Sequence, residues 1–385
     1  MTKNFFNITK GQKKRKILFL SFLCFILVAC SNKEKDSSTS QVKVSESMQS
    51  NDLTMQAVNY ADSILTLMTL EEKVGQCLMP SIYSDSGEET VKLLKKYVED
   101  YHIGGVVLLK GDMVSAKKLS GFGKEARVPL FIAIDAEWGL GMRLEDAKVY
   151  PKNGNIGKDT EETALFDYGL EIAESCKDVG INMVLGPVVD VVTQKGGVIG
   201  KRSFGGDPGL VSSYGVAYAK GLEAGGIISV AKHFPGHGST FMDSHKGVAK
   251  IRRSISELDT LDLVPFRDYI NSGLTGVMAG HIQAPALDPE GNAASVSIDI
   301  LTSLLREEMG FKGLILTDAF DMGGAKGFSA AEALKAGADI ILCPLNIAQE
   351  YESILENVKS ANLHTSVIDD RCRRILFIKY LFLIR

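Results

Sequence analysis

The 385-residue sequence predicts an α/β fold, a (β/α)8 barrel in a single catalytic domain, and three observations carry that expectation. Short apolar runs alternate with amphipathic stretches from about Leu53 onward, the runs number eight, and polar groups close several of them at the same end.

The runs are VGQCLMP from Val74, GGVVLLK from Gly104, PLFIAID from Pro129, INMVLG from Ile181, IISVAKH from Ile227, GVMAGH from Gly276, GLILTD from Gly313 and DIILCP from Asp339. Continuous apolar runs of this length suit strands buried on both faces, as a parallel sheet requires. Between them, LEEKVGQ, VKLLKKYVEDYH, LFDYGLEIAESCKDVG, GVAYAKGLEAGG, LVPFRDYINSG, ILTSLLREEMG and AAEALKAGA place apolar residues three and four apart and often stop at glycine. These are the crossover helices. The alternative is an open doubly wound sheet, but no GxGxxG follows an early strand.

Residues 1–29 read as an address rather than as part of the fold. Lys13, Lys14, Arg15 and Lys16 precede the apolar ILFLSFLCFILVA, which is short for a membrane span and ends at LVAC. A small residue before Cys30 resembles the bacterial lipobox, which implies cleavage there and lipidation of the Cys30 thiol; an ordinary signal peptide is the alternative. The serine-rich polar stretch 30–52 reads as a flexible tether, and 53–385 as the catalytic domain. The expected location is outside the cell's interior, held on a bacterial membrane by lipid.

A net charge of -4 provides no basic field for nucleic acid. Cys77, Cys176, Cys343 and Cys372 are widely spaced, without a CxxC pair or a disulfide framework, and Cys77 and Cys343 sit in apolar runs as small buried hydrophobes.

Run three ends in Asp135, run five in Lys232 and His233, run six in His281 and run seven in Asp318. Burying so many polar groups without purpose is costly. In a barrel they converge on the C-terminal face, where active sites lie.

The fifth loop, KHFPGHGSTFMDSH, holds three of the six histidines. A metal site wants His233 and His237 on one helical face, but Pro235, Gly236 and Gly238 oppose a helix, and HExxH is absent. A serine nucleophile wants a GxSxG elbow, which Ser239 and Ser244 lack. In Asp243-Ser244-His245, residues two apart point the same way in extended chain, so the carboxylate can orient the imidazole and stabilise its protonated form. A loop-borne acid and a strand-end carboxylate are the two parts needed for glycoside cleavage with retention.

KHFPGHG followed by DSH resembles glycoside hydrolase family 3, in its β-N-acetylhexosaminidase branch, where the motif reads closely as KHFPGHGDTxxDSH. MTLEEKVGQ, IGGVVLLKG, GPVVD, IGKRSFG, LLREEMGFKGLILTDAFDM, ALKAGADIILCP and DRCRRILFIKY extend the likeness along the chain. The resemblance implies Asp318 as nucleophile, His245 as general acid and then base, and Asp243 as its partner. It implies sugar contacts from Asp135 and Arg143, which match the family's DQEGGRVxR segment, and from Arg202, Lys232 and His233. His281 is expected either to touch substrate or to wall the barrel, and His237 to shape its loop. No metal or organic cofactor is implied; the partner is a saccharide containing N-acetylglucosamine, as in peptidoglycan fragments.

Two positions depart from the family pattern. Ser239 stands where an aspartate is usual, and DAEWG keeps Glu137 but places Trp138 where a small residue is common. No second domain is expected after the barrel, which fits an acid carried on a loop. Two other readings stay open: a phosphorylase or β-glucosidase of the same family, and a lipid-anchored saccharide-binding protein without catalysis.

Overall fold

The computed structural model describes residues 37–85, 87–194, 196–240 and 247–384, with side chains from residue 52 on. Cys30 and the leader lie outside them. So do Asp243 and His245.

Eight parallel strands close on themselves. β1 is Leu78–Met79 continued by Ser81–Ile82, β2 is Gly105–Leu108, β3 Phe131–Ile134 and β4 Met183–Val184. Then come β5 at Ile228–Phe234, β6 at Gly276–Ala279, β7 at Leu314–Thr317 and β8 at Ile341–Leu342. Each of β1 to β7 pairs in parallel with its successor in the chain, β7 meeting β8 through a bridge between Leu316 and Ile340. β8 returns to β1 through Leu78 against Ile341 and Met79 against Leu342. Pro80 has no N–H to give a ladder, so the first strand breaks there, paired with β8 before it and β2 after it.

All residues of β2, β3, β5, β6 and β7 are buried, as the unbroken apolar runs predict for strands covered on both faces. Val74, Gly75 and Gln76, read both as the start of the first run and as the end of the helical stretch LEEKVGQ, belong to the helix Leu70–Gln76. A capping box explains it. Thr69 accepts from the Glu72 N–H while the Glu72 carboxylate accepts from the Thr69 N–H, which fixes the helix start just ahead of the apolar residues.

Within the stretch read as a tether, the chain is helical from Ser37, in one helix running to Leu67. That span contains neither glycine nor proline. Toward its end Ala57 joins the barrel core, while Ala61 and Leu65, followed by Met68, pack with Val128, Cys372 and Leu376, which docks this helix on the last one, Thr365–Lys379. Cys77, Cys176, Cys343 and Cys372 are all buried and free.

At the N-terminal end of the barrel, polar groups are satisfied in pairs. The Glu223 carboxylate accepts from Ser229 Oγ at 2.7 Å and from the Thr275 N–H at 2.8 Å, and burial pushes its pKa up to about 7. The Asp339 carboxylate accepts from the Ile315 N–H at 2.7 Å and pairs with Arg306 and Arg374. The catalytic candidates gather at the other end.

Candidate active site

Parallel strands deliver their C-terminal residues to one face, and there β3 presents Asp135, β5 Lys232 and His233, and β7 Asp318. Asp135 accepts from Lys232 Nζ at 2.7 Å and pairs with Arg143, eight residues on in the same loop. Lys232 Nζ also lies 2.8 Å from Glu137 Oε1, so one ammonium bridges two carboxylates. Arg202 grips Glu137 with both arms, Nε at 3.0 Å from Oε2 and Nη2 at 2.6 Å from Oε1. The sequence resemblance named Asp135, Arg143, Arg202 and Lys232, and the structure brings all four together.

Burial alone would drive the Asp135 and Glu137 pKa values up. The Lys232 charge, with Arg143 on one side and Arg202 on the other, outweighs it and holds both below the ordinary carboxylate range. Lys232 is raised by the same pairing, against the opposing effect of its own burial. The cluster is therefore a set of fixed charges, which presents oriented acceptors and donors to hydroxyl groups.

Behind it stands Asp190, fully buried at the end of GPVVD. One oxygen accepts from the His237 N–H at 2.6 Å and the His233 N–H at 3.2 Å; the other lies 2.8 Å from His233 Nδ1. Asp190 is held ionised against its burial chiefly by His233, so the ring donates through Nδ1 and turns Nε2 toward Arg202, 3.4 Å from Nη2. The glycines of the loop are required here, since a Cβ on Gly238 would lie 2.1 Å from the Val191 carbonyl oxygen. His237 shapes the loop, as expected: its ring pairs with the Thr240 hydroxyl. Neither Asp190 nor Glu137 was singled out from sequence as a site residue. The signal available was position, two residues past Asp135 for Glu137 and the close of an apolar run for Asp190.

Asp318 follows β7 with its N–H on the Ala279 carbonyl at 2.8 Å, and its Oδ1 accepts from the Ala319 N–H at 2.9 Å. Among the described residues none donates to its other oxygen. The residue is 9% exposed, and although burial opposes ionisation, His233 with His281, the Ala319 N–H and Lys232 keep its pKa below the ordinary value. A buried carboxylate, ionised and with one oxygen uncommitted, is suited to attack an electrophilic carbon.

His281, expected either to touch substrate or to wall the barrel, has both ring nitrogens bonded within the protein. The residue is fully buried, Nε2 donates to the Ala319 carbonyl at 3.0 Å, and Nδ1 accepts from the Ser295 hydroxyl at 2.8 Å. Phe320 and Phe328 pack against the ring, with centroids 5.4 and 6.0 Å away. Burial lowers its pKa, and both ring nitrogens are spent on holding the Asp318 turn. These contacts are those of a wall residue.

The predicted acid His245 and its partner Asp243 lie outside the described residues. The chain that flanks them is anchored: Ala249–Lys250 pairs in parallel with Ile282–Gln283, and Arg253 Nη2 donates to Thr193 Oγ1 at 2.7 Å. Arg253 Nε also approaches Asp262 at 3.0 Å, beneath the Pro235-Gly236 turn, where burial pushes the Asp262 pKa up to about 7. Trp138 is half-buried at the rim with Lys152 Nζ 5.3 Å from its ring centroid, while Ser239 Oγ is buried without a partner among the described residues. Among the described residues no cluster of His, Cys, Asp or Glu is arranged to hold a metal.

Residues 69–378 match the glycosyl hydrolase family 3 N terminal domain. The chain is 33% identical over 292 residues to a β-hexosaminidase A of Pseudoalteromonas piscicida, covering 66% of this chain but 48% of that protein. It is 32% identical over 283 residues to a β-hexosaminidase of Nitrosomonas eutropha, covering 69% of this chain and 80% of that one. A family 3 β-N-acetylglucosaminidase from Paenibacillus superposes with a TM-score of 0.76 at 31% identity, over 82% of this chain and 62% of that structure. The chain thus spans about half the length of the first of these relatives, and the residues matched by the family model, 69–378, include all eight strands and the charged mouth. It belongs to glycosyl hydrolase family 3.

Proposed function

We propose that the protein is a retaining β-N-acetylhexosaminidase that removes terminal N-acetyl-β-D-glucosamine from peptidoglycan fragments or related glycans. The observation that carries this reading is Asp318, ionised with one uncommitted oxygen, facing a mouth lined by Asp135, Arg143, Arg202, Lys232 and His233. The relatives' names point to the same sugar class.

In this mechanism the cluster around Lys232 holds the ring hydroxyls, and Asp318 attacks the anomeric carbon. His245, oriented by Asp243, protonates the departing glycosidic oxygen, and a covalent glycosyl-enzyme results. His245 then takes a proton from water, which attacks the anomeric carbon and releases Asp318. We also propose that the chain is exported and anchored by lipid on Cys30.

Labelling with a mechanism-based 2-acetamido sugar, followed by peptide mapping, tests nucleophile, retention and sugar class together. The label should fall on Asp318, and Asp318→Asn should abolish both labelling and turnover of an aryl N-acetyl-β-glucosaminide. A label on another residue, or turnover that survives in Asp318→Asn, would sink the assignment. Assaying products with and without inorganic phosphate separates hydrolysis from phosphorolysis.

A further inference from the structure

We infer that Trp138, the chain's single tryptophan, is a substrate-contact residue whose ring packs against the terminal sugar at its C4–C6 end, opposite the anomeric carbon. This rests on the hexosaminidase reading and extends it to a position where the sequence departs from the family pattern.

The backbone puts Trp138 at the mouth. The Gly139 N–H donates to the Ala136 carbonyl at 3.2 Å, which closes a turn whose two central residues are Glu137 and Trp138. The same carbonyl accepts from the buried Tyr218 hydroxyl at 2.8 Å, so the turn is fixed from beneath. Gly139 has a φ of 91°, and a Cβ on it would lie 2.5 Å from Tyr150 Cδ2, so the chain leaves the turn by a path that only glycine suits. Asp135 and Glu137, on either side of Ala136, both carry a carboxylate to Lys232. Trp138 is therefore the immediate neighbour of a member of the charged cluster.

Contacts across the rim set the side on which the ring lies. Lys152 Nζ stands over it, 5.3 Å from the centroid. The next residue, Asn153, donates from Nδ2 to the Arg202 carbonyl at 2.9 Å, and the Arg202 guanidinium grips Glu137, the residue before Trp138. These contacts form a closed circuit through Glu137, Arg202, Asn153, Lys152 and Trp138. The indole thus lies between the loops after β3 and β4, beside the guanidinium proposed to hold ring hydroxyls.

In a closed barrel of eight strands β3 and β7 lie on opposite sides, and in a pyranose C1 and C4 are opposite ring atoms. A sugar whose C1 meets Asp318 turns its C4–C6 end toward the loop after β3, where Trp138 stands. The residue is half-buried, so part of its surface is open to a ligand. An aromatic surface there supplies an apolar contact to sugar C–H groups that the charged cluster cannot.

Because no other tryptophan is present, emission excited in tryptophan alone reads this position directly. In the full chain, titration with N-acetylglucosamine, followed in parallel by calorimetry, should lower the quenching of that emission by acrylamide as the sugar saturates. Trp138→Gly should raise KM for 4-methylumbelliferyl N-acetyl-β-D-glucosaminide about tenfold with kcat little changed, the loss expected when an apolar contact made equally in ground and transition states is removed. Trp138→Phe, which keeps a flat ring, should restore most of the affinity. Calorimetric binding with unchanged quenching would overturn the inference and leave the hexosaminidase reading intact, and so would a wild-type KM in folded Trp138→Gly. A wild-type chain that neither binds the sugar nor cleaves the glycoside would instead remove the underlying activity and this inference with it.

Discussion

Asp190 Oδ2 lies 2.8 Å from His233 Nδ1, and that contact decides which ring nitrogen faces the mouth of the barrel. Replacing the carboxylate by an amide lets the side chain donate as well as accept, which permits the other tautomer. Asp190→Asn should therefore lower kcat/KM on an aryl N-acetyl-β-glucosaminide by about 10- to 100-fold, the size of effect expected when a site group is misplaced by about an ångström. The readout is a pH–rate profile beside unfolding. Loss of stability with an unaltered kcat/KM in the folded fraction would make Asp190 a scaffold residue only.

Glu137 is the common partner of Arg202 and Lys232 and is itself fully buried. In Glu137→Gln, Arg202 loses its paired carboxylate and Lys232 one of its two, in a site of low polarity, which costs on the order of 3–5 kcal/mol when a buried pair is broken. Denaturant unfolding should show that loss, and KM should rise because Arg202 and Lys232 no longer hold their positions. A variant as stable as wild type would mean that Asp135 alone suffices to neutralise the cluster.

His281→Gln distinguishes a wall residue from a substrate contact. Since both imidazole nitrogens bond within the protein, the expected result is a stability loss of about 1–3 kcal/mol, the cost of leaving a buried partner unsatisfied. KM measured on the folded enzyme should stay the same. A large rise in KM without loss of stability would return His281 to the substrate.

Glu223 supplies a prediction about pH. Burial raises its pKa from the ordinary 4.5 to about 7. The folded protein therefore keeps a proton that the unfolded chain has released once pH exceeds about 4.5, so stability is fully present below that pH and falls as pH rises toward 7. Glu223→Gln retains an acceptor for Ser229 and the Thr275 N–H without the ionisation. Its Tm should fall less than that of wild type between about pH 4.5 and pH 7, and parallel curves would contradict the assignment.

The barrel was legible because covered strands need apolar residues at every position, and runs such as PLFIAID leave no other reading. The residues that end those runs were legible for the same reason, since a charge at the close of an apolar run needs a purpose. What was hidden was the division of labour among them. Nothing in the spacing of His281 tells that Ser295 and Ala319 claim its two nitrogens, because those partners come from later loops. Glu137 was read as a retained motif residue, yet Arg202, the side chain that gives it a role, is 65 positions away. VGQ was read into both the first run and the helix LEEKVGQ because it serves a helix face and a strand entry equally well until Thr69 and Glu72 fix the boundary.

β8 is two residues long, and it meets β7 at a bridge between Leu316 and Ile340, where the Thr317 N–H donates to the Ile340 carbonyl at 3.0 Å and the Phe320 N–H to the Leu342 carbonyl at 2.9 Å. The Asp339 carboxylate takes over part of that duty by accepting the Ile315 amide while Arg306 and Arg374 secure it. The circumference thus has one stretch where side chains reinforce a short backbone ladder, and it adjoins the place where the first and last strands meet. Amides there should exchange with solvent sooner than those of β5 or β6, and Asp339→Ala should hasten that exchange first. An engineer seeking to split or permute this cylinder would begin at that stretch.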